Sequence, residues 1–242
     1  MSERRPSRVV VNRHLFTTSS VDSGALTMLG VVAHRFSEPG EYMGVVEGGR
    51  EPRSFRFVVD EDAPAMQVDV DLATLGAGSS ADCGCERTSS EPGGRFAVNP
   101  RGYVLFHVSS GAGGYRVRVG RGLDEIVFDS GRLEGEDVFA VTLIRAGTYS
   151  VRNVATDATA EIVVARARRR GGEGRTPLEP VTIECTEKGF RPAKIRIQPA
   201  QGQVYRFRTP SRIVIELVAP EAPGAEGPPR PRRSVRPPHR RS

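Results

Sequence analysis

Apolar and polar residues alternate in short runs along this chain, and no stretch sustains an amphipathic helix longer than two turns. Residues 67–72, QVDVDL, set Val68, Val70 and Leu72 on one face and Asp69 and Asp71 on the other. A period of two with one apolar face is the signature of a half-buried strand. Residues 54–59, SFRFVV, begin the same way, with Phe55 and Phe57 opposed to Arg56. Further β-rich runs lie at 103–108, 115–119, 125–128, 138–144, 149–153 and 160–165. Turn signals separate them at intervals of roughly ten residues, the spacing of a sandwich or small barrel. The chain is therefore expected to be all-β and to fold through non-local strand pairing.

A chain of 242 residues has room for two or three small units. The first β-rich segment covers 8–73. Residues 74–94 read as a flexible linker, since the stretch GAGSSADCGCERTSSEPGG has no periodicity and almost no large apolar residue. Residues 95–168 read as a complete sandwich and 169–180 as a second linker. Residues 181–218 form a third β-rich segment. Residues 219–242 are mostly Pro, Gly, Ala and Arg, which cannot build a core, and are expected to be a disordered tail.

The net charge of +6 sits at the end of that tail, in residues 229–242. Arg230, Arg232, Arg233, Arg236, Arg240 and Arg241 account for all of it, and the rest of the chain is neutral. This argues against a strongly basic face on the folded body. The six arginines are candidate phosphate contacts for salt-sensitive, non-specific nucleic-acid binding. No aromatic residue accompanies them to stack on bases. The N-terminal MSERRPSRVVV lacks the apolar core of a secretory signal, and no apolar run reaches ~18 residues. A cytoplasmic location and no membrane span are the expectations.

Two nonapeptides, EPGEYMGVV at 38–46 and RAGTYSVRN at 145–153, share Gly-x-Tyr ahead of a β run. In Greek-key sandwiches a Tyr just after a tight turn bonds back to nearby backbone, forming a tyrosine corner. Gly40 and Gly147 would supply the permissive backbone and Tyr42 and Tyr149 the ring and hydroxyl. Phe36 and Leu143 would pack inward before each turn. These are structural corners and not catalytic groups.

The stretch FSEPGEY resembles the hairpin near the end of cupredoxins, and GFRPAKIRIQPAQGQVYRF (189–207) resembles their beginning. Phe190, Pro192, Ile195, Ile197, Gly202, Val204 and Phe207 occupy the matching places. The first segment thus shows the late half of such a unit and the third its early half, and 181–218 would complete the first sandwich. The resemblance implies cupredoxin-like Greek-key sandwiches. In that family a type-1 copper site takes two His, a Cys and an axial Met, with the Cys a few residues past the corner Tyr. Here MGVVEGGREP follows Tyr42 with neither Cys nor His, and SVRNVATDATA places Asn153 near the thiolate position. The early His is absent too, because RIVIELV follows RFRTPS. The resemblance carries the fold without the copper ligands, so no cofactor is expected.

Cys83 and Cys85 form a C-x-C pair suited to a soft metal or a redox disulfide. A tetrahedral zinc site wants four ligands. Only Cys185, His14, His34, His107 and His239 remain, and no second paired motif exists. Cys185 alternates with Ile183 in VTIEC and reads as a core residue. His34 and His107 lie within strand-like runs and read as packed or surface groups. SSGAGGY (109–115) lacks a P-loop ending and leads into a strand, so it reads as a hairpin loop. Asp60, Glu61 and Asp62 with Asp69 and Asp71 match no calcium-loop spacing. Ser, His and Asp occur without a nucleophile elbow. The expectation is a non-enzymatic binding or scaffold protein whose partner is a protein or small ligand. The alternatives are metal or redox chemistry at Cys83 and Cys85, and nucleic-acid association through the tail.

Overall fold

The structure is a computed structural model that describes residues 14–49, 51–75, 95–122, 125–165 and 178–221. Its one described helix is the single turn His14–Thr17. The strands fall into two consecutive series. The first comprises β1 (Ser20–Asp22), β2 (Gly30–His34), β3 (Gly40–Glu47), β4 (Arg53–Val59), β5 (Gln67–Asp71), β6 (Arg95–Val98), β7 (Tyr103–His107) and β8 (Arg116–Arg121). The second comprises β9 (Glu125–Asp129), β10 (Val138–Thr142), β11 (Gly147–Asn153), β12 (Thr159–Val164), β13 (Val181–Thr186), β14 (Gly189–Arg191), β15 (Lys194–Ile197), β16 (Gly202–Phe207) and β17 (Ile213–Pro220). Among the described residues the protein is thus nearly all β, and their strands assort into one seven-stranded and two five-stranded sheets.

The two series pair in the same way. In the first, β2 pairs antiparallel with β7, which pairs parallel with β5. β3 pairs antiparallel with β4 and β8, and β4 pairs parallel with β6. In the second, β10 pairs antiparallel with β16, which pairs parallel with β13. β11 pairs antiparallel with β12 and β17, and β12 pairs parallel with β15. The chain is an internal duplication.

This pairing departs from the division expected from sequence. The strands of 95–129 join the first segment, and those of 138–164 join 181–220, so 95–168 is not one sandwich. Nor does 181–218 complete the first segment. The reason is that the parallel partners β5–β7, β4–β6, β13–β16 and β12–β15 are remote in sequence, and alternation fixes which face is buried but not which strand is adjacent.

The leading strand of each series is exchanged. β1 precedes β2 but pairs with β17 of the other series, and β9 precedes β10 but pairs with β8. The equivalent strands β2 and β10 also pair with each other, antiparallel, with Val32 opposite Phe139. The offset from Val32 to Phe139 is also that from Tyr42 to Tyr149. A local two-fold axis therefore passes through the Val32–Phe139 pair. Directly opposed residues share a sheet face, and both are fully buried. Hence both five-stranded sheets pack on the same side of the seven-stranded sheet. Within one continuous buried cluster, Phe36, Phe57, Phe106 and Phe128 make one set of ring contacts and Phe139 and Tyr205 another.

Candidate functional site

The two corners form as the Gly-x-Tyr spacing requires. Tyr42 Oη donates to Glu38 O (2.8 Å) and Tyr149 Oη to Arg145 O (2.9 Å), each four residues back. Gly40 and Gly147 have φ of 148° and 152°, a backbone few other residues adopt. Phe36 and Leu143 are buried beneath them. Burial raises the pKa of both phenols, which stay protonated as donors.

A second repeated device went unseen in the sequence. Val21-Asp22-Ser23-Gly24-Ala25-Leu26 aligns without a gap on Phe128-Asp129-Ser130-Gly131-Arg132-Leu133. In each copy the Asp accepts from the Gly backbone N–H, at 2.8 Å. Each buried Ser hydroxyl accepts a backbone N–H from the opposite series, Ile213 to Ser23 and Val117 to Ser130. Each Asp takes a bidentate pair from Arg212 or Arg116, also across the exchange. The repeated Asp-Ser-Gly-x-Leu was the available signal, and its short length hid it. These loops latch the exchanged strands and account structurally for their charged groups.

The copies differ where β2 leaves the seven-stranded sheet. In the first sandwich this end is a cleft of about 210 Å³ lined by His34, Phe36, Tyr42, Arg121, Glu125 and Val127. His34 Nδ1 lies 2.5 Å from Oδ1 of the buried Asp137, whose Oδ2 accepts from Glu134 N. The imidazole packs edge-on to Phe36 and beside Phe128. Arg121 lies over the Tyr42 ring, pairs with Glu38 and donates to Pro39 O. Arg35 pairs with Glu136. Glu125 has no ion-pair partner among the described residues. In the second sandwich Val141 stands at the place of His34, Ser20 at that of Val127 and Gly30 at that of Asp137. Leu217, paired with Tyr149, takes the place of Arg121. The fold needs none of the cleft's charges, since its duplicate does without them.

Other sets of chemical groups are not assembled for catalysis. Asp71, His107 and Ser109 come together, but Ser109 Oγ donates directly to Asp71 (2.5 Å), with no imidazole between them. Burial opposes ionisation of Asp71, yet the bonds from Ser109 Oγ and the Ala73 and Ser109 amides prevail and hold its pKa below the ordinary value. Cys185 is buried beside Tyr205, and burial pushes its thiol up to about 12. Past the corners, Val46 is buried apolar. Asn153 is bonded through Nδ2 to Ser211 Oγ and through Oδ1 to the Ala155 and Arg212 amides. These positions do not fit type-1 copper, and among the described residues no three His, Cys, Asp or Glu side chains converge to hold a metal ion. No helix among the described residues is long and apolar enough to cross a membrane. Cys83, Cys85, Arg230, Arg232, Arg233, Arg236, Arg240 and Arg241 lie outside the described residues.

In comparisons with known proteins, no family model, no curated protein and no solved structure matches this chain.

Proposed function

We propose that the protein is a non-enzymatic binding or scaffold protein made of two cupredoxin-like sandwiches without type-1 copper, which recognises its partner through the His34 cleft. Each sandwich is read as a permuted cupredoxin unit whose corner-bearing half comes first, and in the second sandwich the Phe190-Arg191-Pro192 half follows it. The carrying observation is the difference between the duplicates. One fold occurs twice, and only one copy holds His34, Asp137, Arg121 and Glu125 at this place. A cleft of about 210 Å³ is smaller than the ~300–1,000 Å³ of drug-sized ligand sites. It suits one side chain or a similarly small molecule. Arg35 and Arg121 are already neutralised by Glu136 and Glu38, so Glu125 sets the charge preference, and the favoured group is an ammonium or guanidinium.

The test is an NMR titration of the full chain with Nα-acetyl-lysine amide, agmatine and Nα-acetyl-glutamate amide. The cationic probes are expected to shift His34 and Tyr42 resonances, and Glu125→Gln to abolish the shifts. No shift with either cation, or turnover of generic hydrolase or redox substrates at enzyme-like rates, rejects the reading.

A further inference from the structure

The His34 cleft carries a carboxylate that no described cation neutralises, and the chain itself carries matching cations. Arg121 pairs with Glu38 and Arg35 with Glu136, which leaves Glu125 without an ion-pair partner among the described residues. Asp137 lies behind the imidazole, engaged by His34 Nδ1 and by Glu134 N. From residue 229 onward the sequence holds Arg230, Arg232, Arg233, Arg236, Arg240 and Arg241 and no acid. The only lysines of the chain are Lys188 and Lys194, so the permanent cations of this stretch are all guanidinium groups. The cleft, at about 210 Å³, has room for one of them.

We propose that an arginine of residues 229–242 occupies the His34 cleft of its own chain, its guanidinium on the Glu125 carboxylate, an assignment that rests on the reading of this cleft as a cation site. Chain length permits the contact. Glu221, the last described residue, donates its N–H to Ala146 O, and Ala146 follows Asp137 by nine residues. That stretch spans at most about 32 Å, so Glu221 lies within roughly 45 Å of His34. Arg236, Arg240 and Arg241 follow Glu221 by 15, 19 and 20 residues. Such lengths extend to about 50–70 Å, so the distal arginines reach the cleft even at the largest separation the pairing allows. Tethering then favours the chain's own cation. A ligand joined to its site by a linker competes at an effective concentration on the order of millimolar, and a free cation must be supplied at that level to displace it. A single guanidinium–carboxylate pair open to solvent is weak. A partner that adds contacts to its cation therefore displaces the arginine, whereas a lone small cation meets a competitor.

NMR of the full chain tests this, comparing the parent with a chain that carries Arg230→Gln, Arg232→Gln, Arg233→Gln, Arg236→Gln, Arg240→Gln and Arg241→Gln together. Without added ligand, the His34 and Tyr42 resonances should differ between the two, and equally so at ~50 and ~500 µM protein, since an intramolecular contact does not depend on concentration. Glu125→Gln placed in both chains should erase the difference. Agmatine should bind the substituted chain at least ~3-fold more tightly than the parent. Coincident His34 and Tyr42 resonances, with agmatine binding both chains equally, overturn the proposal and leave the cation cleft standing. A difference that survives Glu125→Gln overturns it too, as does one that grows with protein concentration, which would assign the contact to a second copy. Agmatine binding to neither chain removes the cation cleft itself, and the proposal with it.

Discussion

Arg212 clasps Asp22 across almost the whole length of the chain, with Nε 3.0 Å from Oδ1 and Nη2 2.7 Å from Oδ2. The clasp holds β1, three residues long, against β17. Gly24 permits it, since a Cβ there would lie 2.8 Å from Arg212 Nε and 3.2 Å from Gly131 Cα. The two Asp-Ser-Gly loops therefore meet backbone to backbone. Arg116 and Asp129 repeat the clasp on β9, with Nε 2.9 Å from Oδ1.

The clasp sets a local stability. Arg212 is partly exposed, so Arg212→Ala should cost only about 1 kcal/mol overall. The loss should be concentrated in β1, whose amides from Val21 to Ser23 should exchange hydrogen faster while those of β11 keep their protection. Native-state hydrogen exchange reads this directly. Uniform acceleration across both sandwiches, or none in β1, would show that the clasp does not secure the exchanged strand.

Asp129 predicts a dependence on pH. Burial opposes its ionisation, but the Arg116 guanidinium and the Gly131 amide outweigh that and lower its pKa. A carboxyl whose folded pKa is depressed stabilises the fold fully above its unfolded value, ~4. That stabilisation is lost as pH falls through the lower folded pKa. Urea denaturation between pH 7 and pH 3 should show stability falling below about pH 4, and Asp129→Asn should flatten the fall while lowering stability at pH 7. Parallel profiles for the variant and the parent chain would refute this assignment.

Strands and corners were legible because they are local. Alternation marks β5 and β4 within six residues, and Gly-x-Tyr marks both corners within three. The duplication was obscured because its pairing is not local. β1 and β9 lie beside strands of the opposite series, and every parallel pair is bridged by a crossover. The His34 cleft was illegible for a related reason. Asp137, Arg121 and Glu125 come from segments far from His34, and only the register of β2 on β10 brings Asp137 to it. Read alone, His34 is one histidine in a β run. Read against Val141 in the duplicate, it is a departure from the repeat.

Cys185 should be chemically silent in the native state. The thiolate is the reactive form, and a thiol with a pKa pushed up to about 12 and 1% exposure supplies almost none at pH 8. In a Cys83→Ser/Cys85→Ser variant, a disulfide-exchange reagent should titrate no thiol until denaturant is added, and then one. Metal analysis of the parent chain beside that variant also tests the C-x-C pair, since stoichiometric metal lost with both cysteines would locate it there. Fast native labelling of the variant would mean that Cys185 is accessible.

The duplication also predicts a compensating pair. Gly44 lies opposite Phe55 across β3 and β4, and a Cβ on Gly44 would lie 2.1 Å from the Phe55 ring. At the equivalent place in the second sandwich Val151 lies opposite Ala160. One copy fills the space with a glycine and a large ring, the other with two medium side chains. Phe55→Ala alone leaves a cavity and should cost ~3–5 kcal/mol. Gly44→Val alone drives its side chain into the ring and should cost at least ~1–3 kcal/mol. The double variant imports the arrangement the fold already tolerates at Val151 and Ala160. It should be more stable than the two single losses added together, by a coupling of ~1–3 kcal/mol. Denaturation of the four chains measures that coupling. Strict additivity would mean that the two sandwiches do not share interchangeable packing at this layer.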